Sequence, residues 1–124
     1  ADTDQMRFAY NGKYFEYFEV GRTGMMREVG LPYEVIEKSG FFMPVIETKI
    51  HFFAPAFYDE LLVIETRVEK LPTVKVHIDH IIKAKERNII ICEGYVELAF
   101  LDAKTNRPTR APKLFIDAVK KYYE

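Results

Sequence analysis

Between Lys13 and Val29 the apolar residues Tyr14, Phe18, Met25 and Val29 recur at steps of four and seven, with Phe15, Arg22 and Met26 lined up beside them. That spacing predicts one long helix with a broad apolar stripe. Gly30 followed by Leu31-Pro32 predicts where it stops, because glycine accepts a left-handed cap and proline cannot continue a helix. Gly21 and Gly24 are poor helix formers, each costing about 1 kcal/mol relative to alanine. Their presence predicts close packing of the helix against another backbone. The flanks carry few charges, so the helix is expected to be central and mostly buried.

From Phe41 the period changes to two. In "FFMPVIETKIHFF" the even positions Phe42, Ile46, Ile50 and Phe52 are apolar, while Glu47, Lys49 and His51 face the other way. "LLVIETRVEKLP" sets Leu62, Ile64 and Val68 against Glu65, Arg67 and Glu69. "VKVHIDHIIKAK" sets Val74, Val76, Ile78 and Ile82 against Lys75, His77, Asp79 and Lys83. "IIICEGYVELAFLD" is the most hydrophobic run and is expected at the centre of the sheet. "APAFYDE" and Glu86-Arg87-Asn88 read as turns, and "AKTNRPTRAP" as a loop. Pro112 suits the first turn of a last helix reaching about Tyr123. One helix, four long strands and a short helix predict an α+β domain, a curved antiparallel sheet wrapped around one helix. The 124 residues suit a single domain, 1–124. A short first strand is expected ahead of Ala1.

Composition narrows the function classes. With 48% hydrophobic and 30% charged residues the chain is globular. A formal net charge of -1 gives no overall reason to expect nucleic acid or an acidic membrane surface. Cys92 is the one cysteine, so no internal disulfide can form, which suits a reducing cytoplasm. No apolar run approaches the roughly 20 residues of a membrane span.

Candidate chemistry is sparse. Ser39 is the one serine and lacks a G-x-S-x-G setting. Cys92 shares a predicted strand face with Ile90, Val96 and Leu98, the position of a core residue. His77 and His80, three apart on a strand, point to opposite faces, so no metal site is expected from them and His51. No Gly-rich phosphate loop occurs. Arg107 and Arg110, with Lys104 nearby, form either a solvated loop or an anion site suited to phosphate oxygens. Lys83, Lys85 and Arg87 make a second, weaker basic cluster. The opening "ADTDQMRFAYNGKYFEYFE" places Asp2 and Asp4 ahead of Tyr10, Asn11 and Gly12. Asp4 stands eight residues before Gly12, too far to cap the long helix. A carboxylate on one side and the amides around Asn11 and Gly12 on the other suit attack on a carbonyl.

These residues resemble the hotdog-fold acyl-CoA thioesterases, in the branch of 4-hydroxybenzoyl-CoA thioesterase and the Tol-Pal-associated thioesterases. The family pattern runs roughly D-x-D-x-x-G-x-V, an aromatic, then H/P/Y-x-N/S-Y, followed by an aromatic-rich helix ending in Arg. This chain reads "DTDQMRFAYNGKYFEYFEVGR", with "GLPY", "APAFYDELLVIETRV", "CEGYVELAFLD" and "NRPTRAP" following where the family has its equivalents. The resemblance implies that Asp4 is the catalytic carboxylate, as nucleophile or as general base on water. It implies that Asn11 opens the central helix and that its backbone N–H polarises the thioester carbonyl, with Tyr10, Gly12 and Tyr14 beside the substrate. Arg107 and Arg110, in the loop ending at Pro112, would lie near the CoA phosphates. Two departures stand out: Asn11 replaces a frequent histidine, and Arg7 replaces a usual glycine.

The implied protein is a cytoplasmic acyl-CoA thioesterase with no metal or cofactor, acting as a homodimer or homotetramer on acyl-CoA, without nucleic acid or a membrane span. The rival reading is a non-catalytic acyl-thioester-binding protein in which Arg7 and Asn11 have eroded catalysis. A hotdog dehydratase would need a histidine at the site, and His51, His77 and His80 are poorly placed for it.

Overall fold

The computed structural model describes residues 11–121, the first two as backbone only. Helix α1 spans Asn11–Glu28 and a short helix α2 spans Tyr33–Lys38. The strands are β1 (Phe41–Phe42), β2 (Val45–Phe52), β3 (Leu62–Arg67), β4 (Lys75–Ala84), β5 (Ile89–Asp102) and β6 (Pro108–Thr109), and helix α3 spans Lys113–Lys120.

The end of α1 forms as its sequence predicts. Gly30 adopts φ 83°, and the amides of Gly30 and Leu31 donate to Arg27 and Met26 carbonyls at 3.0 and 2.8 Å, a Schellman closure. Pro32 does more than stop the helix. It occupies the N-cap position of α2, where its fixed φ of -57° leads directly into a helical turn.

The buried side of α1 is a narrow stripe of every fourth residue: Tyr14, Phe18, Arg22 and Met26. Phe15 and Val20 on the other side are exposed, so within one chain the helix lies on the sheet and is not mostly buried as its few charges suggest. Gly21 is where it comes closest. A Cβ there would lie 2.5 Å from Thr66 Oγ1 and 2.9 Å from Ile64 Cγ2. The close approach is thus to β3 side chains, not to backbone, and Gly24, with nothing within 4 Å of such a Cβ, takes no part in it.

All strand pairs are antiparallel. The long β5 is central, as its composition predicts, with β1 and β2 along one edge and β4 and β6 along the other; β3 lies outside β4. Met43-Pro44 separates β1 from β2, since proline has no amide to give to the ladder. Inner-face alternation holds through β4, where Val76, Ile78, His80, Ile82 and Ala84 are buried. Two irregularities shift the phase elsewhere. Pairing slips between Val45 and Glu47 and again between Ile82 and Lys83, whose partners are Cys92 and Ile90. The second slip leaves Ile91 as an extra residue, so Cys92 is buried with Val96 and Leu98 while Ile90 turns out of their face. In β2, Ile46 and Phe52 are 54% and 40% exposed, on a strand that among the described residues is paired along one edge alone. At the far end of β5, Phe115 of α3 packs edge-on against Phe100 at 5.2 Å.

Candidate functional site

The N-terminal end of α1 rests over the β2 edge. Tyr14 meets Phe52 edge-on, ring centroids 5.1 Å apart at 81°, and Tyr17 at 5.6 Å and 87°. The first four amides of an α-helix have no partner within it and carry about half a positive charge between them. Asn11 and Gly12 stand at this end of α1 and Tyr14 follows within the first turn, so three of the expected site residues share one place. Asp4 and Tyr10, like Asp2 and Arg7, lie outside the described residues.

The two loop arginines are elsewhere. Phe52 is opposite Cys92 on β5, whereas β6 pairs with Phe100 and Leu101. Those nine residues of strand span about 30 Å. Within one chain, Arg107 and Arg110 are therefore not brought to the α1 N-terminus. Their loop is nonetheless built to a definite shape. The Asp102 carboxylate accepts amides from Lys104 (2.8 Å) and Thr105 (3.1 Å), bonds that hold it below its ordinary pKa. Asn106 turns the chain at φ 58°. Arg107 and Arg110 are exposed beyond that turn.

Beneath the middle of α1 lies a polar group of residues that sequence reasoning did not assign to any site. His80 is fully buried, its Nδ1 3.0 Å from Thr66 Oγ1, and its Nε2 has no hydrogen-bond partner among the described residues. Burial, with the Arg22 charge second, lowers its pKa to about 4, so it is neutral at ordinary pH. Arg22 Nε donates to the Tyr33 hydroxyl at 2.9 Å. Burial raises the Tyr33 pKa even though Arg22 pulls it down. The signals were present in the sequence: His80 keeps phase with Val76, Ile78 and Ile82, and Arg22 follows Phe18 by four.

On the opposite sheet face His77 sits between two carboxylates, Nδ1 2.8 Å from Glu97 and Nε2 3.1 Å from Asp79, with Tyr95 stacked at 4.7 Å. Partial burial opposes its charge, but these bonds outweigh that and raise its pKa. His77 and His80 thus occupy opposite faces as expected. Burial, with Glu93 second, pushes the Cys92 thiol up to about 12, which leaves it inert as a nucleophile. Among the described residues no three His, Cys, Asp or Glu side chains converge as metal ligands, and no helix is long and apolar enough to cross a membrane.

An antiparallel sheet curled over one long helix whose N-terminus opens at the sheet's edge defines the α+β hotdog class. The chain belongs to the Thioesterase-like superfamily, whose family model matches residues 1–119. It is similar to YneP of Bacillus subtilis, 38% identical over 69 residues, covering 56% of this chain and 50% of that protein. The match thus spans half the length of that relative. It is also similar to the acyl-CoA thioester hydrolase YbgC of Escherichia coli, 25% identical over 120 residues, 96% of this chain and 88% of the relative. Among solved structures, the DHNA-CoA thioesterase from Staphylococcus aureus superposes with a TM-score of 0.83 at 29% identity, covering 98% of this chain and 81% of that one.

Proposed function

We propose that this chain is an acyl-CoA thioesterase, cleaving an acyl-CoA thioester to the free acid and CoA. The observation that carries the reading is membership of the thioesterase-like superfamily, whose model matches residues 1–119, with Asp4 seven residues ahead of Asn11, a residue of α1. Backbone amides in the first turn of a helix suit a thioester carbonyl, because they face the negative charge that develops on its oxygen as the carbon becomes tetrahedral. Asp4 either attacks that carbon itself, expelling the CoA thiolate and leaving an anhydride for water to open, or takes the proton of an attacking water. With asparagine at position 11, stabilisation of the oxygen falls to the backbone amide. The relatives' names point the same way: YbgC is an acyl-CoA thioester hydrolase.

The working unit in this reading is at least a homodimer. Among the described residues β2 pairs with β5 alone, and its apolar Val45, Ile46 and Phe52 are 49%, 54% and 40% exposed. A second copy joined antiparallel along this edge sets each chain's Val45 end beside the other's Phe52 end. The Arg107–Arg110 loop, which extends beyond the Val45 end, would then face the partner's α1 N-terminus and its CoA phosphates. The test is thiol release over a panel of acyl-CoAs with the wild type and Asp4→Asn. Turnover should drop by about 10³-fold or more in the variant, with unchanged circular dichroism. Undiminished hydrolysis by Asp4→Asn would remove the assignment, and saturable binding of CoA esters without thiol release would favour the non-catalytic binder.

A further inference from the structure

We infer that strand β4 sets a pH window on the fold, which is complete only while His77 is charged and His80 is neutral. The two residues stand three apart on opposite faces, so one strand makes opposite demands of the same side chain. On the face away from α1, His77 Nδ1 lies 2.8 Å from Glu97 and Nε2 3.1 Å from Asp79. A neutral imidazole has a single N–H and would turn a lone pair toward one of these carboxylates. Only the imidazolium donates to both. Lys75 also pairs with Glu97, at 3.0 Å, but among the described residues Asp79 has His77 as its one ion-pair partner. Arg67, opposite Asp79 on β3, pairs with Glu69 at 3.7 Å. Tyr95 of β5, stacked on His77, donates its hydroxyl to Glu47 of β2 at 2.7 Å. Glu93 of β5 and Lys49 of β2 complete this charged surface.

His80 makes the contrary demand. It is fully buried under α1, stacked on Phe18 at 4.6 Å, with Nδ1 3.0 Å from Thr66 Oγ1 of β3. Nε2 has no partner among the described residues, and the charge that acts on the ring is that of Arg22. The Tyr33 hydroxyl of α2 accepts from Arg22 and stays uncharged, its pKa raised by burial against the pull of Arg22 and further by Glu19 of α1. Opposite His80 on β5 is Gly94. Cys92, two residues along the same face, stays a thiol, pushed up to about 12 by burial first and Glu93 second. A proton on His80 would therefore set a cation beside a cation, with no carboxylate among the described residues to receive it.

The titrations agree with this geometry. Burial opposes the His77 charge, but the bonds to Glu97 and Asp79 outweigh it and raise its pKa. Burial, with Arg22 second, lowers that of His80 to about 4. An unfolded histidine titrates near 6.5. Stability from His80 is thus present above about pH 6.5 and lost as pH falls toward 4. Stability from His77 is present below about pH 6.5 and lost as pH rises through its raised value. The histidine-dependent stability peaks between the two losses, close to pH 6.5.

The test is the imidazole nitrogen resonances of the whole chain, assigned through the backbone, beside urea unfolding on both sides of neutrality. At about pH 6 the spectra should show both nitrogens protonated in His77 and one in His80. The wild-type urea midpoint should be highest near pH 6.5. His77→Gln should lose the alkaline fall, while its unfolding constant rises about tenfold from pH 7.5 to 5.5. His80→Phe should lose the acid fall alone. The same protonation state in both rings at about pH 6 overturns the inference, as does an alkaline fall that persists in His77→Gln. If either variant does not fold, the wild-type spectra decide.

Discussion

His80 stacks on Phe18 with ring centroids 4.6 Å apart, a histidine holding the position in β4 that an aliphatic residue would ordinarily hold. Among the described residues its one hydrogen bond reaches Thr66 on the neighbouring strand, and a cation that acts on it, Arg22, comes from the helix above. An uncharged imidazole is tolerated there because its faces are apolar and one nitrogen is satisfied. A charged one would add a second cation to a buried site already holding Arg22.

Acid should therefore weaken the fold through this residue. The unfolded chain's histidine titrates near 6.5 and the folded one near 4, so the folded state binds fewer protons between those values. Stability is complete above pH 6.5 and declines as pH falls toward 4, by on the order of 3 kcal/mol. Glu60, Glu97 and Asp102, whose pKa values lie below the ordinary carboxylate values, lose their contributions only at lower pH. Urea midpoints from pH 7 to 4.5 should fall more for the wild type than for His80→Phe, and parallel slopes would exclude His80 as the cause.

Two glycine substitutions should move stability in opposite directions. Ala at position 94 puts a methyl 2.0 Å from the Lys49 carbonyl oxygen, which forces β2 away from β5. A loss of about 3 kcal/mol or more is expected. Ala at position 24 meets nothing within 4 Å inside a helix and should stabilise by about 0.5–1 kcal/mol. Chemical denaturation of Gly94→Ala and Gly24→Ala, measured together, separates a packing requirement from a backbone preference.

That contrast also marks what the sequence could convey. Periods of 3.6 and 2 depend on which residues in one segment share a face, so α1 and the four long strands were legible, as was the Gly30 stop. The resemblance carried the fold. The need for glycine at 94 was hidden, because the crowding atoms belong to Lys49 on another strand and to Phe18 on α1. Helix α2 was hidden because a proline ends one helix and begins another equally well. The phase slips at Ile46 and Ile91 cannot be seen in runs that are apolar throughout. The separation of Arg107 from Asn11 was out of reach too, since it is set by the length of β5 and not by any local pattern.

The aromatic loop between β2 and β3 should depend on one side chain. Arg87 forks onto Glu60 at 2.5 and 2.6 Å, donates to the Pro55 carbonyl at 3.0 Å and lies 3.8 Å over the Phe57 ring. Glu60 in turn accepts the Phe57 amide at 2.8 Å. With Phe57 and Tyr58 exposed, Arg87→Ala should release this loop and speed chymotrypsin cleavage there severalfold, while the global unfolding midpoint changes little. Unchanged cleavage would mean that the loop is held by its backbone alone.

The separation of the arginine loop from the α1 N-terminus along β5 leads to a complementation experiment on the proposed dimer. Asp4→Asn abolishes the carboxylate, and Arg107→Ala with Arg110→Ala should raise KM about tenfold with little effect on kcat. If each site draws Asp4 from one chain and the arginines from the other, a heterodimer of the two variants contains one intact site and one site lacking both features. Mixing them through a denaturation and refolding cycle should then restore low-KM turnover, approaching half the wild-type level in the isolated heterodimer. If each site draws both features from a single chain, the heterodimer contains no intact site. It then shows only the high-KM activity of the arginine variant, and the shared site is excluded.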